Sequence, residues 1–241
     1  MKKYDFHIHT SYSDGNSSLE RVIQTAIDHC IEKIAVTDHM SALGHFLYTV
    51  HNPIQSIEQY LSEIARMRLK YEHQIEIYPG AEISEDFIHV KPSSPLEDRL
   101  QDNLEFFSLF LIETILIAEP IRTALNMRKY LDDQGFEHVP VILAHPNFSQ
   151  IDFATFHLLL NKHIGVELNE SKLSDRQATY FVDHVKSLTP QQRCKLFLSF
   201  GSDAHVSEEI GSVDYVTTII EENQLWKNVI TPPRVQDFIL S

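Results

Sequence analysis

The sequence predicts an α/β fold in which short apolar strands alternate with amphipathic helices around a parallel sheet or barrel. Three observations predict it. Apolar runs such as Ile34-Ala35-Val36-Thr37 and Val141-Ile142-Leu143-Ala144 recur between segments whose apolar residues fall at helical spacing. Nearly every such run ends in a histidine or a carboxylate, as the strands of a barrel do when they converge on one functional face. The length, 241 residues, suits one strand–helix barrel with no second domain.

Residues 4–9 alternate as a short buried strand does, and 10–18 form a polar loop. Ser18 opens a helix in which Leu19, Val22, Ile23, Ala26, Ile27 and Cys30 recur at helical spacing. The run 34–37 reads as an interior parallel strand that ends at Asp38-His39. Helical periodicity returns over 57–71, where Tyr60, Leu61, Ile64, Met67 and Leu69 give an apolar face, and 75–78 reads as a strand closed by Pro79-Gly80. Pro92 and Pro95 break regular structure, and 96–133 reads as mostly helical with an interruption near Pro120. The region of about 92–133 is therefore an irregular helical segment. Strands at 141–144, 164–168 and 196–200 then alternate with helices at 153–161 and 175–188, and 213–220 reads as a last strand. No repeat or linker interrupts the chain, so 1–241 reads as a single domain.

Composition narrows the function. Twenty basic residues against 34 acidic ones give a formal charge of −14. Such a surface repels phosphate backbones and anionic lipid, which argues against long nucleic acid and against a membrane surface. A small anionic substrate stays admissible, because metal ions invert the field inside one pocket. Cys30 and Cys194 lie far apart and read as two buried thiols in a reducing compartment. The apolar stretch 104–118 is broken by Glu105 and Glu113 and is shorter than the roughly 18–20 residues a bilayer requires, so it reads as buried core. No apolar signal core follows the first lysines, and the expected location is cytoplasmic.

The chain holds 14 histidines and only seven glycines, five of which (15, 80, 165, 201 and 211) sit near the groups that carry the chemistry. The first strand ends in His7 and His9, the second in Asp38-His39, and the third runs into Glu82. Later strands end in His145, in Glu167, and in Asp203 and His205. His7 and His9 are two apart on a strand, so both imidazoles face one side and can grip one ion; Asp203 and His205 repeat the spacing. A histidine–carboxylate set away from both cysteines suits Zn, Mn or Fe. Around this set several roles stay open. Asp38 either orients His39 or caps its strand, and Glu167 and Asn169 either line the pocket or are loop polarity. The histidines outside these motifs read as surface or helix residues, with His45 or His51 the alternatives that reach in from the loop after His39, and Arg122 or Arg128 either meets a phosphate or has no part in the site. The glutamates of 97–119 read as a solvated helix face.

His7-Ile8-His9-Thr10, Ser13-Asp14-Gly15, Thr37-Asp38-His39, Gly80-Ala81-Glu82, Ala144-His145-Pro146 and Gly201-Ser202-Asp203-Ala204-His205 occur in that order. From residue 5 to about 211 the chain resembles the polymerase and histidinol phosphatase (PHP) family of metal-dependent phosphoesterases. The resemblance implies a distorted (β/α)7 barrel with two or three divalent metal ions. One ion would take His7, His9, Glu82 and Asp203, and another Asp14, His39 and His205. Glu82 would bridge to a remaining ion held also by His145 and one further histidine. His89, seven residues after Glu82, has the spacing of histidinol-phosphatase-like members. Other members place this ligand later, where this chain offers no histidine but does offer Glu113; an incomplete site is the remaining alternative.

The resemblance implies hydrolysis of a small phosphate monoester, histidinol-phosphate-like or nucleotide-like. A metal-bridging hydroxide, held through Glu82, His7, His9, His145 and Asp203, would attack phosphorus, so no nucleophilic side chain is required. The implied partner is a small phosphorylated substrate. Two other classes compete: a PHP-type barrel serving as a non-catalytic binding module, and a C–N bond hydrolase of amidohydrolase type. The last would call for a lysine ligand at a strand end, and no lysine follows a predicted strand as the histidines do.

Overall fold

The computed structural model describes residues 3–40, 57–83, 100–114 and 120–236. Strands β1 (Tyr4–Ile8), β2 (Lys33–Val36), β3 (His39–Met40), β4 (Glu76–Ile83), β5 (Leu109–Ile112), β6 (Val141–Leu143), β7 (Ile164–Asn169) and β8 (Leu198–Gly201) form one parallel sheet. Its order is β1-β2-β4-β5-β6-β7-β8, with the two-residue β3 beside β4. The ring is brought nearly to closure between β8 and β1. The Asp203 N–H donates to His7 O at 2.9 Å, and the His9 N–H to Ala204 O at 3.0 Å. Seven strands thus form an α/β barrel, as the sequence leads one to expect.

Helices α1 (Leu19–Asp28), α2 (Ile57–Tyr71), α3 (Pro120–Asp133), α4 (Phe153–Asn161), α5 (Asp175–Ser187), α6 (Pro190–Arg193) and α7 (Asp214–Glu222) flank the ring. Ser18, Asp152, Ser174 and Thr189 accept from the first-turn N–H groups of α1, α4, α5 and α6, so four helix starts are written in the sequence as N-caps. Strands covered on both faces need no alternation, and β1, β5, β6, β7 and β8 are buried throughout. Among the described residues no helix is long and apolar enough to cross a membrane.

Four expectations are corrected. Pro79-Gly80 does not close a strand but lies inside β4. Pro79 is the residue at which β4 changes partners: residues 76–79 pair with β2, and 80–83 pair with β5. The Tyr60 hydroxyl, 2.8 Å from Val36 O and 2.9 Å from Gly80 O, anchors α2 at this junction. The segment read as irregular helix contains β5, because a strand buried on both faces shows an apolar run and no period that separates it from a buried helix. Residues 213–220, read as a strand, form α7. The carboxylate of Glu170 accepts from Tyr215 N and Val216 N at 3.2 and 3.0 Å, satisfying first-turn donors that no helical carbonyl reaches. Val216, Thr217, Ile219 and Ile220 then face the core at helical spacing. Finally, Cys30 and Cys194 are free and exposed rather than buried.

Two buried groups tie distant segments to the mouth of the barrel. Asp5 on β1 accepts from Ser202 N and Oγ at 2.9 and 2.6 Å and from Gly211 N at 2.8 Å. This holds the 202–211 segment against the first strand. Burial pushes the Asp5 carboxyl up to about 6. Arg128 donates to Val139 O at 2.7 Å and Phe136 O at 3.0 Å, so it fastens the α3–β6 connection and is not a phosphate contact. Gly201 marks the tightest contact of the seam, since a Cβ there would stand 2.6 Å from His7 N. Gly201→Ala is therefore expected to destabilise the protein by about 1–3 kcal/mol, the usual penalty for overpacking. The midpoint of urea unfolding would show it, with an unchanged slope.

Candidate metal centre

The mouth of the barrel collects side chains from five strand ends. Alternation along β1 puts Asp5, His7 and His9 on one side and Tyr4, Phe6 and Ile8 on the other. His39 comes from β3, Glu82 from β4, His145 from the turn after β6, and Asp203 and His205 from the segment after β8. Asp14 is brought over His9 by a tight loop in which Gly15 leaves no room for a Cβ, which would stand 2.5 Å from His9 O. Two of these residues pay a conformational cost: His145 at φ 33° and Asp203 at φ 60° lie in the left-handed region.

Two clusters of donor atoms result. In the first, His7 Nε2 lies 3.0 Å from His9 Nε2 and 3.3 Å from Glu82 Oε2. His9 Nε2 lies 3.4 Å from Glu82 Oε2, and Asp203 Oδ1 lies 3.5 and 3.3 Å from the two imidazole nitrogens. Ligand atoms held 2.0–2.1 Å from one ion are about 3–3.5 Å apart, so these separations suit a shared cation. Hydrogen bonding alone does not account for them, because an imidazole nitrogen carries at most one proton and His7 Nε2 and His9 Nε2 each face the other and two carboxylate oxygens at once. In the second cluster, Asp14 Oδ2 lies 3.3 Å from His205 Nε2 and 3.6 Å from His39 Nε2. His9 turns its Nδ1 toward Asp14 Oδ1 at 3.6 Å, and this buried nitrogen has no hydrogen-bond partner. The other oxygen of Glu82, Oε1, lies 2.9 Å from His145 Nε2.

Behind the donors stand groups that orient them. Glu167 on β7 accepts from His7 Nδ1 at 2.8 Å and from the His145 backbone N–H at 2.7 Å, and Asn169 donates to it at 3.2 Å. With its proton on Nδ1, His7 presents the Nε2 lone pair to the first cluster. Asp38 does not touch its neighbour's ring. It accepts from Thr10 N, Thr10 Oγ1 and Ser13 Oγ, and so fixes the loop that carries Asp14. The Ser171 hydroxyl donates to Asp203 Oδ2 at 3.2 Å, and Lys172 Nζ stands 3.7 Å from the same oxygen.

The electrostatics are those of cations waiting to be exchanged. Burial alone would lower His7, but the carboxylates of Glu167, Glu82 and Asp203 outweigh it and hold the imidazole well above the usual histidine range. Burial opposes ionisation of Glu82, yet His7 and His39 keep its carboxyl well below the ordinary value. Asp14, against its own desolvation, is held at about 2 by the His205 hydrogen bond and the charges of His39 and His9. His205 is correspondingly raised to about 9, its bond to Asp14 overcoming burial.

The sequence-predicted residues His7, His9, Asp14, His39, Glu82, His145, Asp203 and His205 are all brought together here, whereas His89, His45 and His51 lie outside the described residues. Arg122 is exposed on α3, and His184 is a core residue bonded to Ile151 O at 2.8 Å. Lys172 escapes the sequence reading, and Glu113, offered there as an alternative ligand, is otherwise grouped with a solvated helix face. Glu113 is buried at the end of β5 rather than on a solvated helix, and Lys172 follows β7 by three residues. A cleft of about 560 Å³ opens beside His145, lined by Thr114, Ile121, Asn147, Gln150 and Lys172.

Glu167→Gln is expected to weaken metal binding about 10–100-fold, as loss of an orienting partner does, read by chelator competition on the folded protein. A pH prediction follows from His205. In the metal-free protein its pKa is raised from 6.5 to about 9. Its stabilisation is therefore full below about pH 6.5 and is lost as pH rises through about 9. Thermal melts of metal-free wild type and His205→Asn are expected to differ at pH 6 and to converge above pH 9.

Comparison with known proteins follows the same line. The PHP domain model matches residues 5–229. A histidinol-phosphatase of Lactococcus lactis subsp. lactis (strain IL1403) is 30% identical over 237 residues, 86% of each chain. A histidinol-phosphatase of Bacillus subtilis (strain 168) is 28% identical over 132 residues, which are 51% of this chain and 46% of that protein. The chain thus spans about half the length of the Bacillus relative. Among solved structures, histidinol phosphate phosphatase of Lactococcus lactis subsp. lactis Il1403, complexed with zinc, L-histidinol and phosphate, has a TM-score of 0.64 at 20% identity. The likeness covers 92% of this chain and 94% of that one. HisK of Listeria monocytogenes has a TM-score of 0.60 at 15% identity over 89% and 99%. At these identities the structural likeness establishes the barrel. With its family model running from the first strand to beyond the last helix, this chain belongs to the PHP domain family.

Proposed function

We propose that this protein is a metal-dependent phosphatase that hydrolyses a small phosphate monoester, histidinol-phosphate-like or, as a second class, nucleotide-like. The observation that carries the reading is the convergence of His7 Nε2, His9 Nε2, Glu82 Oε2 and Asp203 Oδ1 on one point inside the barrel mouth. The enzyme class is supported by phosphatase relatives, one of them 30% identical over most of both chains. Those four residues would hold one ion. Asp14, His39 and His205 would hold another, and Glu82 with His145 would contribute to a third position. Zn, Mn and Fe all suit such donors, and zinc is present in the Lactococcus structure. Bound divalent ions would supply Lewis acidity, lower the pKa of water and neutralise charge on the phosphoryl oxygens.

The chain's own residues do the rest. Glu167 keeps His7 in the tautomer that offers Nε2 and fixes the backbone of His145. Asp38 and Asp5 hold the two loops that bring in Asp14, Asp203 and His205. Lys172, half exposed on the rim beside Asp203, adds a positive charge where a phosphate dianion enters. The cleft beside His145 is large enough for a metabolite-sized leaving group and presents amides at Asn147 and Gln150 to its polar atoms. Exposed free thiols at Cys30 and Cys194 support a reducing, cytoplasmic setting.

The test is elemental analysis of the purified protein with assays on histidinol phosphate, nucleoside monophosphates and an aryl phosphate, with and without chelator. Bound divalent metal and chelator-sensitive turnover are expected. Asp203→Ala is expected to reduce turnover to background while leaving the circular dichroism spectrum intact. Unchanged turnover in that variant would overturn the reading.

A further inference from the structure

The cleft beside His145 borders the metal-binding side chains at two places. His145 Nε2 lies 2.9 Å from Glu82 Oε1, Lys172 Nζ lies 3.7 Å from Asp203 Oδ2, and both residues line the cleft. A phosphate ester held at those donors therefore has about 560 Å³ beside it for its leaving group.

One wall of the cleft is the 145–152 loop, and that loop is fastened at several points. The His145 N–H donates to Glu167, the Gln150 N–H donates to Asn147 O at 2.9 Å, and Asp152 caps α4. Phe148 is buried, its ring centroid 5.1 Å from that of Phe181 on α5. His184, also on α5, bonds Ile151 O at 2.8 Å and packs on the rings of Phe153 and Phe156 at 4.7 and 4.9 Å. A loop held in this way presents its polar groups in set positions, so little ordering remains to be done when a ligand meets them.

Within this loop Asn147 is directional. The Ser149 N–H donates to its side-chain oxygen at 3.1 Å, and the Ser149 hydroxyl donates at 2.7 Å. A backbone N–H only donates, so the accepting atom is Oδ1, and reversing the amide would break that bond. With Oδ1 engaged twice, what Asn147 has to offer the cleft is the pair of donors on Nδ2. Lys172 adds an ammonium to the same space, while Thr114 turns its hydroxyl proton inward to the carbonyls that flank it, Ala144 O and His145 O. Ile121, Leu143 and Ile151 supply apolar surface between these groups.

We infer that Asn147 is a specificity-determining residue, selecting a phosphate monoester whose leaving group joins an apolar body to a carbonyl or ring-nitrogen acceptor and carries no ammonium. This rests on the phosphatase reading above and narrows it to one class of leaving group. An acceptor gains a hydrogen bond from Nδ2, whereas an ammonium meets donors of its own sign at Asn147 and Lys172.

The experiment uses the full chain reloaded with Mn²⁺ and compares kcat/KM for three esters. Uridine monophosphate carries carbonyl acceptors, butyl phosphate has none, and histidinol phosphate carries an ammonium. Wild type is expected to favour uridine monophosphate over histidinol phosphate by more than about tenfold. Asn147→Ala is expected to lower the ratio of uridine monophosphate to butyl phosphate about three- to tenfold, the worth of one hydrogen bond. A loss shared equally by the three esters would show a structural role and overturn the inference. Asn147→Asp keeps the acceptor that Ser149 needs, and is expected to shift preference toward histidinol phosphate by more than about tenfold. Saturation-transfer NMR on chelator-treated protein reads the cleft without turnover, and is expected to detect uridine more strongly than histidinol. Unchanged ratios in both variants, or equal binding of uridine and histidinol, would overturn the inference and leave the phosphatase reading intact. Turnover of none of the three esters by the metal-loaded chain would overturn both. Melting curves establish that each variant is folded before its rates are compared.

Discussion

Acceptor-only oxygens and imidazole lone pairs cannot satisfy one another, and the mouth of this barrel packs them within hydrogen-bonding range. That constraint governs the rest of the structure. Glu82, Asp203, His7 and His9 are all buried, so the cost of taking them out of water is met by neighbouring opposite charge and by fixed donors. Each supporting carboxylate ties its own strand to at least one other segment. Glu167 joins β7 to β1 and to the turn after β6, Asp38 joins the end of β2 to the 10–13 loop, and Asp5 joins β1 to the 202–211 segment. These anions brace the barrel as well as the chemistry. The stability of the site and that of the fold are consequently hard to change independently.

The ring serves this arrangement through two departures from regularity. β4 gives its first half to β2 and its second half to β5, and the change falls at Pro79, a residue that donates no backbone hydrogen bond. This lets the strand continue upward to present Glu82 beside His39 from the short β3. At the seam, β8 ends at Gly201 and the next residues bond to β1 from within the site itself, through Asp203 N and Ala204 O. The closing hydrogen bonds of the barrel are thus made by the same backbone that carries Asp203.

Much of this was legible in the amino-acid order, and the reasons are specific. His7 and His9, and Asp203 and His205, stand two apart at the ends of apolar runs, and a period of two is enough to put each pair on one side. Helix α2 announced itself by periodicity, and the start of α1 by its capping Ser18. The misreadings share another cause, since each was decided by contacts far away in sequence. β5 is apolar on both faces and is a strand only because β4 and β6 flank it. α7 looks like a strand until Glu170, more than forty residues earlier, satisfies its first turn. The burial of Glu113, a residue already offered as an alternative ligand, was hidden by the same error as β5, since a helical segment would turn its carboxylate to solvent. Lys172 is separated from its strand by a turn, so no strand-end pattern reveals it.

The backbone at His145 and Asp203 has a consequence of another kind. Both sit in a left-handed conformation that glycine adopts freely and that costs other residues about 1–3 kcal/mol. Glycine at either position would relax the main chain and delete a donor atom in the same step. A laboratory selection for heat resistance alone, blind to activity, would thus be drawn to the two positions the site can least spare. Retention of histidine and aspartate there against that pull is the trace such a protein would leave of being selected for what it does.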